Sequence, residues 1–277
     1  MTRLISEWIN EPDNGLKMCN EKLLKLTGMD ISALAFLGAG TQLIPKPEMK
    51  RFKAAVVRFT AGEGIIGCFA ESVASVLSYM GAEVFIPDTS DAAGVYEAVS
   101  RGAEILFMAD DYGFIALNIK TGKAAENDIA TVKGYLSVLS AMAGGVLGRD
   151  VLLLGYGRLG QKALDLLLEK GANVNVYDKD RNKTALLKNE NVNVLSELRL
   201  PISGLVLDVT SEGGWLGAKD VSKDAMIAAP GIPLSLDNEA YLAAQDRVFH
   251  DKLQTGVAVM LAMVINEGGG SDGSQRI

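Results

Sequence analysis

Apolar residues in the second half of the chain occur first as a short continuous run and then at helical spacing. The four apolar residues 151–154 are typical of a buried parallel strand. Leu164 and Leu167 then recur on one face of a helix, and Gly171 marks its end. The alternating segment 173–177 predicts a second strand. This order of strand, helix and strand predicts a parallel α/β unit.

The turn between that strand and that helix has the spacing Gly-x-Gly-x-x-Gly. Its six residues are Gly155, Tyr156, Gly157, Arg158, Leu159 and Gly160. In nucleotide-binding folds the first glycine makes the tight turn, the second lets a pyrophosphate approach the backbone, and the third allows helix and strand to pack closely. The helix N-terminus supplies N–H groups for the pyrophosphate. Because Asp178 ends the next strand, where a carboxylate can bind ribose hydroxyls, the segment predicts a dinucleotide site.

Asp178 also bears on which dinucleotide binds. A carboxylate at this position binds the ribose diol and repels a 2′-phosphate, which favours NAD over NADP. Lys179 and Arg181 lie close in sequence and weaken this preference, because either side chain could reach a phosphate. The loops that contain Thr210 and Pro230 each follow a predicted strand and should face the cofactor. We therefore expect NAD as the cofactor.

A second Gly-x-Gly-x-x-Gly segment occupies residues 62–67, after a predicted strand at 54–59. Two residues separate that strand from the first glycine, and the acid after the next strand, Asp88, follows a proline. Both features count against a dinucleotide turn. We expect this segment instead to shape a substrate pocket, where its N–H groups can hold a carboxylate.

The rest of the first half predicts a small α/β domain behind a helical N-terminus. Residues 1–27 have the spacing of amphipathic helices, whose apolar face must cover the first domain, a partner subunit or a substrate, and Asp30 is placed to cap a following helix. Strands are predicted at 54–59, 83–86, 105–109 and, as an edge strand, 114–118, with helices at 69–77, 94–100 and about 128–143. We expect the last of these helices to join two domains.

The second half continues the same alternation. Beyond Asp178 the pattern predicts a polar helix at 182–189, strands at 204–208, 226–229 and 247–250, and an apolar, buried helix at 253–265. Residues 268–274 carry no packing signal and should be disordered. The predicted fold class is α/β. A helical N-terminus and α/β substrate domain span 1–127, a Rossmann-type doubly wound NAD-binding domain with its interdomain helix spans 128–277, and a cleft lies between them.

Composition narrows the function classes. A net charge of −7 over 277 residues disfavours nucleic acid as a partner and is compatible with a cationic substrate. No apolar run approaches the roughly 20 residues of a membrane span, and the N-terminus has no signal-peptide core. Two cysteines make no disulfide framework, so we expect a cytoplasmic protein. A single histidine, His250, cannot build a multi-histidine metal site within one chain, and we expect no metal.

Five stretches together resemble one known family. They are residues 107–111, 155–160, 176–180, 229–233 and 250–256, with the sequences Phe-Met-Ala-Asp-Asp, Gly-Tyr-Gly-Arg-Leu-Gly, Val-Tyr-Asp-Lys-Asp, Ala-Pro-Gly-Ile-Pro and His-Asp-Lys-Leu-Gln-Thr-Gly. From about residue 50 to 265 the chain resembles the pyrrolysine synthases, the dehydrogenases of the last step of pyrrolysine biosynthesis. The glycine turn is generic, whereas the aspartate pair and the histidine–aspartate stretch are more particular.

The resemblance implies a substrate in which lysine is joined through its side-chain nitrogen to 3-methyl-D-ornithine. NAD+ takes a hydride from the carbon that bears the terminal ornithine amine. The α-amine of the same molecule then attacks the imine or the derived aldehyde, ammonia is lost, and the pyrroline ring closes. A compact bound conformer favours this intramolecular step.

The implied chemistry points to three candidate catalytic residues. Asp110 and Asp111 follow a predicted strand on one wall of the expected cleft, where a carboxylate can accept the amine proton or hold a cationic imine. His250 ends a predicted strand on the other wall, with Asp251 available to orient it. The alternatives are a turn or capping pair for the aspartates, and a packed histidine bonded to a backbone carbonyl for His250.

Two other functions remain open. One is a different two-domain NAD-dependent dehydrogenase of amino or hydroxy acids, because a fold does not determine its substrate. The other is a non-enzymatic NAD-sensing or scaffold protein, in which the long apolar helices form partner surfaces. Beyond the small-molecule substrate, a homodimer is the partner we expect, with no nucleic-acid and no membrane partner.

Overall fold

The structure is a computed structural model that describes residues 12–62 and 64–265. The part of the predicted N-terminal helices before residue 12 and the tail predicted to be disordered lie outside the described residues. The helices are α1 Pro12–Thr27, α2 Ile31–Ala39, α3 Lys46–Met49, α4 Phe69–Tyr79, α5 Asp91–Ser100, α6 Asn127–Ala143, α7 Arg158–Glu169, α8 Arg181–Thr184, α9 Asn238–Ala244 and α10 Gln254–Ile265.

The strands form two separate sheets. They are β1 Lys53–Val57, β2 Glu83–Phe85, β3 Ile105–Ala109, β4 Phe114–Asn118, β5 Lys123–Glu126, β6 Asp150–Leu154, β7 Asn173–Tyr177, β8 Val192–Val194, β9 Leu205–Asp208, β10 Met226–Ala228 and β11 Val248–Phe249. The first five make one sheet, in the order β2-β1-β3-β4-β5, and the other six make the second. Each sheet is the core of one compact unit.

The first unit contains Met1–Glu21, Met29–Gly134 and Lys252–Ile277. In its sheet β1 pairs in parallel with β2 and β3, and β3, β4 and β5 continue as antiparallel neighbours. The predicted cap of α2 is confirmed, because the Asp30 side chain accepts a hydrogen bond from the N–H of Ala33 at 2.7 Å.

One strand prediction in the first unit was wrong in its position. Residues 114–118 were expected at the sheet edge, but β4 lies between β3 and β5. The turn at Gly122, where φ is +71°, returns the chain as β5, which the sequence did not predict. β5 is only four residues long and both its ends are charged, so it lacks the apolar run that marks a buried strand.

The second unit contains Lys22–Gly28 and Tyr135–Asp251. All six strands of its sheet are parallel, in the order β11-β10-β9-β6-β7-β8. In chain order this is 6-5-4-1-2-3, the order of the doubly wound Rossmann fold, in which the strand order reverses between β6 and β9. The predicted α/β class with a Rossmann-type domain is therefore confirmed.

The sequence pattern did not predict two short elements of the second unit, and it predicted a third that is too long. β8 and α9 were not predicted, and the polar helix expected at 182–189 extends only over Arg181–Thr184. β8 has three residues, of which none is buried, so it carries little apolar pattern. Asp237 caps α9 through a hydrogen bond from the N–H of Ala240 at 2.7 Å.

The division of the chain differs from the predicted boundary after residue 127. The units divide within α6, between Gly134 and Tyr135, and α10 returns to the first unit. α10 contacts α2, α4, β4 and β5. Eleven of its twelve residues are buried, so its apolar surface is covered on nearly all sides. The sequence identified α10 as a buried helix but assigned it to the second domain.

Candidate functional site

Two glycines of the motif after β6 are required by the protein's own packing. Gly155 has φ +91°, a conformation that L side chains rarely adopt, and a Cβ there would lie 3.2 Å from the backbone N of Thr210. A Cβ on Gly160 would lie 2.3 Å from the carbonyl oxygen of Gly155. These two residues therefore make the tight turn and the close helix–strand contact that the motif predicts.

Gly157 is different, because nothing in the protein requires it to be glycine. Its φ of −83° and ψ of −157° are extended, and a Cβ built on it has no atom within 4 Å. It precedes the twelve-residue helix α7, whose first turn also contains Arg158 and Leu159. N–H groups at a helix N-terminus beside open space fit the pyrophosphate of a dinucleotide. The residues present here therefore fit the predicted cofactor.

Asp178 is buried and joins the end of β7 to the glycine turn. Its Oδ2 accepts a hydrogen bond from the N–H of Tyr156 at 2.7 Å, and its Oδ1 accepts one from the N–H of Asp180 at 2.8 Å. A carboxylate has about four lone-pair sites, so both oxygens can still accept ribose hydroxyls. Lys183 lies beside it, with Nζ 3.6 Å from Oδ2.

The two cations that the sequence places near Asp178 have other partners in the structure. Lys179 forms an ion pair with Glu212, which raises the pKa of the lysine, and Arg181 donates to the carbonyl of Ser196 at 3.0 Å. Lys183 is the lysine that contacts Asp178. The sequence did not indicate Lys183, although it lies in the same short helical segment as Arg181.

Thr210 and Pro230 lie where the sequence predicts, in the loops after β9 and β10. A Cβ on Gly231, the residue after Pro230, would lie 2.0 Å from the carbonyl oxygen of Thr210. Thr210 also contacts Gly155, as described above. The structure therefore brings the loops after β6, β9 and β10 together at the carboxyl ends of the strands, the edge at which doubly wound sheets bind ligands.

Asp208, at the end of β9, is a polar residue that the sequence pattern did not single out. Its Oδ1 accepts hydrogen bonds from the N–H of Thr210 at 3.0 Å and from the Thr210 hydroxyl at 2.7 Å, and its Oδ2 accepts one from the hydroxyl of Ser235. Burial raises the pKa of this carboxyl, whereas the hydrogen bonds and the charge of His250 act in the opposite direction. An aspartate that ends an apolar strand is the sequence signal that would have found it.

His250 follows β11, and its Nδ1 lies 2.7 Å from the carbonyl oxygen of Ala229. Because a carbonyl only accepts, we assign the proton to Nδ1, which leaves Nε2 as the basic nitrogen. The carbonyl of Ala229 orients the ring, a role for which the sequence makes Asp251 available. This hydrogen bond is the one expected of a packed histidine, and it also suits a histidine that exchanges protons at Nε2.

Asp110 and Asp111 belong to the first unit, in the turn between β3 and β4. Asp110 Oδ1 accepts from the N–H groups of Tyr112 and Gly113 at 2.8 and 2.9 Å, so the turn role that the sequence left open describes this side chain. Asp111 Oδ2 lies 1.9 Å from where a Cβ of Gly62 would be, so its carboxylate rests against the second glycine segment. Both aspartates are exposed.

The second glycine segment has a longer connection to its helix than the first. α4 begins only at Phe69, after Cys68, which has φ +62°. The segment follows β1, and Asp111 follows β3. These two strands are neighbours, and the strand order of the sheet reverses between them. Asp111 and Gly62 therefore meet at the carboxyl ends of the parallel strands of the first sheet, the edge at which open α/β sheets bind ligands.

Residues 12–62 and 64–265 can also be searched for metal sites and for membrane-spanning helices. No group of three histidine, cysteine, aspartate or glutamate side chains in these ranges is arranged to hold a metal ion. In the same ranges no helix is both long and apolar enough to cross a membrane.

Two of the solved structures that this chain resembles match it weakly. A chain of the dipicolinate synthase from Bacillus halodurans matches with a TM-score of 0.39 and 12% identity, over 78% of this protein and 97% of that chain. An oxidoreductase from Ralstonia solanacearum, described as a D-3-phosphoglycerate dehydrogenase, matches with a TM-score of 0.27 and 12% identity, over 77% and 92%. The assignment of the Rossmann fold rests on the strand order of this protein.

Comparison with characterised families is more specific. Residues 9–125 match the model of the N-terminal domain of the pyrrolysine biosynthesis protein PylD. Pyrrolysine synthase from Methanosarcina barkeri is 29% identical over 254 residues, which cover 90% of this chain and 93% of the relative. Pyrrolysine synthase from Methanosarcina acetivorans is 30% identical over 273 residues, which cover 96% of this chain and 100% of the relative. Similarity of this extent, over both units, means that the chain belongs to the pyrrolysine synthase family.

Proposed function

We propose that this protein is an NAD-dependent amine dehydrogenase that forms the ring of pyrrolysine. The observation that carries the proposal is that residue 157 is a glycine, although neither its backbone conformation nor its neighbouring atoms require one. Space beside a helix N-terminus suits a pyrophosphate. Asp178, at the end of the neighbouring strand, supports NAD because its carboxylate can accept both hydroxyls of an adenosine ribose.

The proposed substrate is the amide of lysine and 3-methyl-D-ornithine, joined through the lysine side-chain nitrogen. NAD+ supplies the oxidation by accepting a hydride. The substrate loses that hydride and one proton, so that its terminal CH2–NH2 becomes CH=NH. Its α-amine then adds to this carbon, ammonia leaves, and the ring closes with a carbon–nitrogen double bond. Binding the chain in a folded conformation is the main aid that a protein can give to ring closure.

The protein must also remove a proton before oxidation. A free alkylammonium has a pKa of about 10.4, and it cannot lose a hydride until it is neutral. We propose that the aspartate pair, through Asp110 or Asp111, binds or deprotonates this amine, and that Nε2 of His250 takes part in the proton transfer. Oδ1 of Asp110 accepts two hydrogen bonds within its turn, and the carboxylate of Asp111 lies against the second glycine segment.

The experiment is a turnover assay on the purified protein with NAD+ and the lysine–methylornithine amide. NADH absorbance should rise, and mass spectrometry should find the cyclised product. Ornithine, alanine and lactate serve as control substrates, since NADH formation from them would indicate another amino or hydroxy acid dehydrogenase. Tight NAD binding without turnover of any amine would instead support an NAD-sensing or scaffold protein.

The proton-transfer roles are tested with Asp110→Asn, Asp111→Asn and His250→Asn. Asparagine at residue 110 keeps the oxygen that the turn requires, so this variant should remain folded. General acid–base groups contribute about 10²–10⁴-fold to turnover, and we expect a loss of that size with unchanged NAD affinity in at least one variant. Asp224→Asn, at an exposed carboxylate, is the control. Near-native turnover in all three variants would refute these roles.

A further inference from the structure

The buried carboxylate of Asp208 joins two loops of the second unit. Only 1% of the residue is exposed, and its partner Ser235 is equally buried. Thr210, which donates twice to Oδ1, lies in the loop after β9, and Ser235, which donates to Oδ2, lies in the segment after β10. The backbone carbonyl of Asp208 also accepts from the N–H of Gly231 at 3.2 Å. One residue therefore bonds both loops.

Thr210 also packs against the glycine turn after β6. Its backbone N lies 3.2 Å from where a Cβ of Gly155 would be, and its carbonyl oxygen lies 2.0 Å from where a Cβ of Gly231 would be. The backbone of Thr210 is thus held between the two glycines. A shift of Thr210 would have to displace the turn at Gly155, because interiors packed this closely transmit strain.

Burial is the largest influence on the Asp208 carboxyl and raises its pKa. The hydrogen bonds from Ser235 and Thr210 and the positive charge available on His250 act against the rise in pKa that burial causes. His250 donates to the carbonyl of Ala229, in the same segment that carries Ser235. Burying a carboxylate costs free energy, and hydrogen bonds offset only part of that cost. The presence of one in this position therefore points to a role.

We propose that Asp208 is a positioning residue of the nucleotide site, which holds the loops after β9 and β10 against the glycine turn and so keeps the space beside Gly157 open. The proposal rests on the proposed function only for the identity of the ligand. Asp208 itself touches no ligand in this role. It acts through Thr210, Ser235 and Gly231.

The test compares two substitutions at the same residue. Asp208→Asn keeps the oxygen that Thr210 needs, and its amide can donate to the Ser235 hydroxyl, so the network survives without its charge. Asp208→Ala removes the network and leaves Thr210 and Ser235 without this acceptor. Ser235→Ala removes one hydrogen bond of the network and replaces Asp208→Ala in the test if that variant fails to fold. Asp224→Asn is the matched control, because Asp224 bonds Ser222 in the same unit but is exposed.

Calorimetric titration with NAD+ should separate these variants. We expect the Kd to rise by about tenfold or more in Asp208→Ala, the equivalent of losing a hydrogen bond to a charged group, and by about threefold or less in Asp208→Asn. Ser235→Ala should lie between them, and the control should be unchanged. If folded Asp208→Ala, or Ser235→Ala in its place, binds NAD+ as tightly as the unsubstituted protein, Asp208 serves stability alone and the proposal is wrong.

A second measurement needs no ligand and so separates this proposal from the proposed function. In amide NMR spectra of the protein alone, the resonances of Gly155 and Gly231 should move in Asp208→Ala or Ser235→Ala and stay in place in Asp224→Asn. Failure of the unsubstituted protein to bind NAD+, together with these shifts, would refute the NAD assignment but keep the positioning role. Unmoved glycine resonances in both network variants would refute the positioning role.

Discussion

Gly157 is the one glycine of its motif that the fold does not require. The other two glycines of its motif are required by the backbone at Gly155 and by packing at Gly160, whereas a side chain at residue 157 would enter empty space. The sequence shows three glycines at fixed spacing. Only the packing around them shows which one is free to serve a ligand.

Gly157→Val should abolish NAD binding and leave the fold intact. The branched side chain would occupy the space proposed for the pyrophosphate, and its Cβ meets no protein atom within 4 Å. Calorimetry with NAD+ measures the binding, and circular dichroism checks the fold. Gly64→Val is the comparison, because it tests the second glycine segment. Normal NAD binding by Gly157→Val together with loss of binding by Gly64→Val would show that the wrong segment was assigned.

The carboxylate of Asp178 should make the protein prefer NAD to NADP. We expect kcat/KM to be at least about tenfold higher with NAD, because a 2′-phosphate would lie against a buried anion. Lys183→Gln should increase this preference, since Lys183 is the cation next to Asp178. Kinetics with both cofactors measure the ratio. Equal values in the unsubstituted protein would contradict the role given to Asp178.

At the scale of elements, the start of α5 is held by one acidic side chain from the helix itself. Glu97 accepts hydrogen bonds from the N–H and hydroxyl of Thr89 at 3.0 and 2.8 Å, from Arg101 at 2.8 Å, and from the N–H of Asp88 at 3.1 Å. These bonds, those of Thr89 above all, lower the pKa of Glu97 from 4.5 to about 2. The ionised form of Glu97 therefore stabilises the loop between β2 and α5.

A carboxyl whose pKa is lower in the folded than in the unfolded state stabilises the fold at pH values above its pKa in the unfolded state. That stability is lost as the pH falls from about 4.5 towards about 2. Glu97→Gln should therefore lower the Tm at neutral pH, and the difference from the unsubstituted protein should shrink over this acid range. Glu83→Gln, at an exposed carboxylate 2.9 Å from Lys53, is the control. A Tm difference that stays constant from pH 6 to pH 2 would contradict the prediction.

The elements that the sequence predicted correctly are those with a strong apolar pattern. β3, β6, β7, α6, α7 and α10 all appear within a residue or so of their predicted bounds. The elements it missed, α3, β5, β8 and α9, have seven residues or fewer. Such short segments contain too few positions to display a period, so contacts with neighbouring elements decide their conformation.

At the scale of the whole molecule, the first unit is not continuous in sequence. It takes its last helix, α10, from the end of the chain, after the second unit is complete. Within the first unit a Cβ on Gly134 would lie 2.5 Å from a side-chain carbon of Thr255, so α6 and α10 meet there without room for a side chain. The core of the first unit therefore depends on residues 252–265.

The fragment 1–127 should be unfolded, although it is the first domain that the sequence predicts. A fragment in which residues 1–134 are joined to 252–277 by a short glycine-rich linker should fold, because Gly134 and Thr255 are in contact. Circular dichroism and amide NMR dispersion measure both. A folded 1–127 fragment would show that α10 is not needed for the core of this unit.

The sequence alone determined the α/β class, the glycine turn after β6 and the acid at the end of the neighbouring strand. These features depend on interactions between residues close in the chain, namely the periodic burial of strands and helices and the spacing of glycines around one turn. Tertiary structure decided the rest. It brought Asp208, Ser235 and Thr210 into one network, directed His250 to a backbone carbonyl, and placed α10 in the first unit. Such contacts join residues far apart in sequence, and the packing of whole elements, which no local pattern records, selects them.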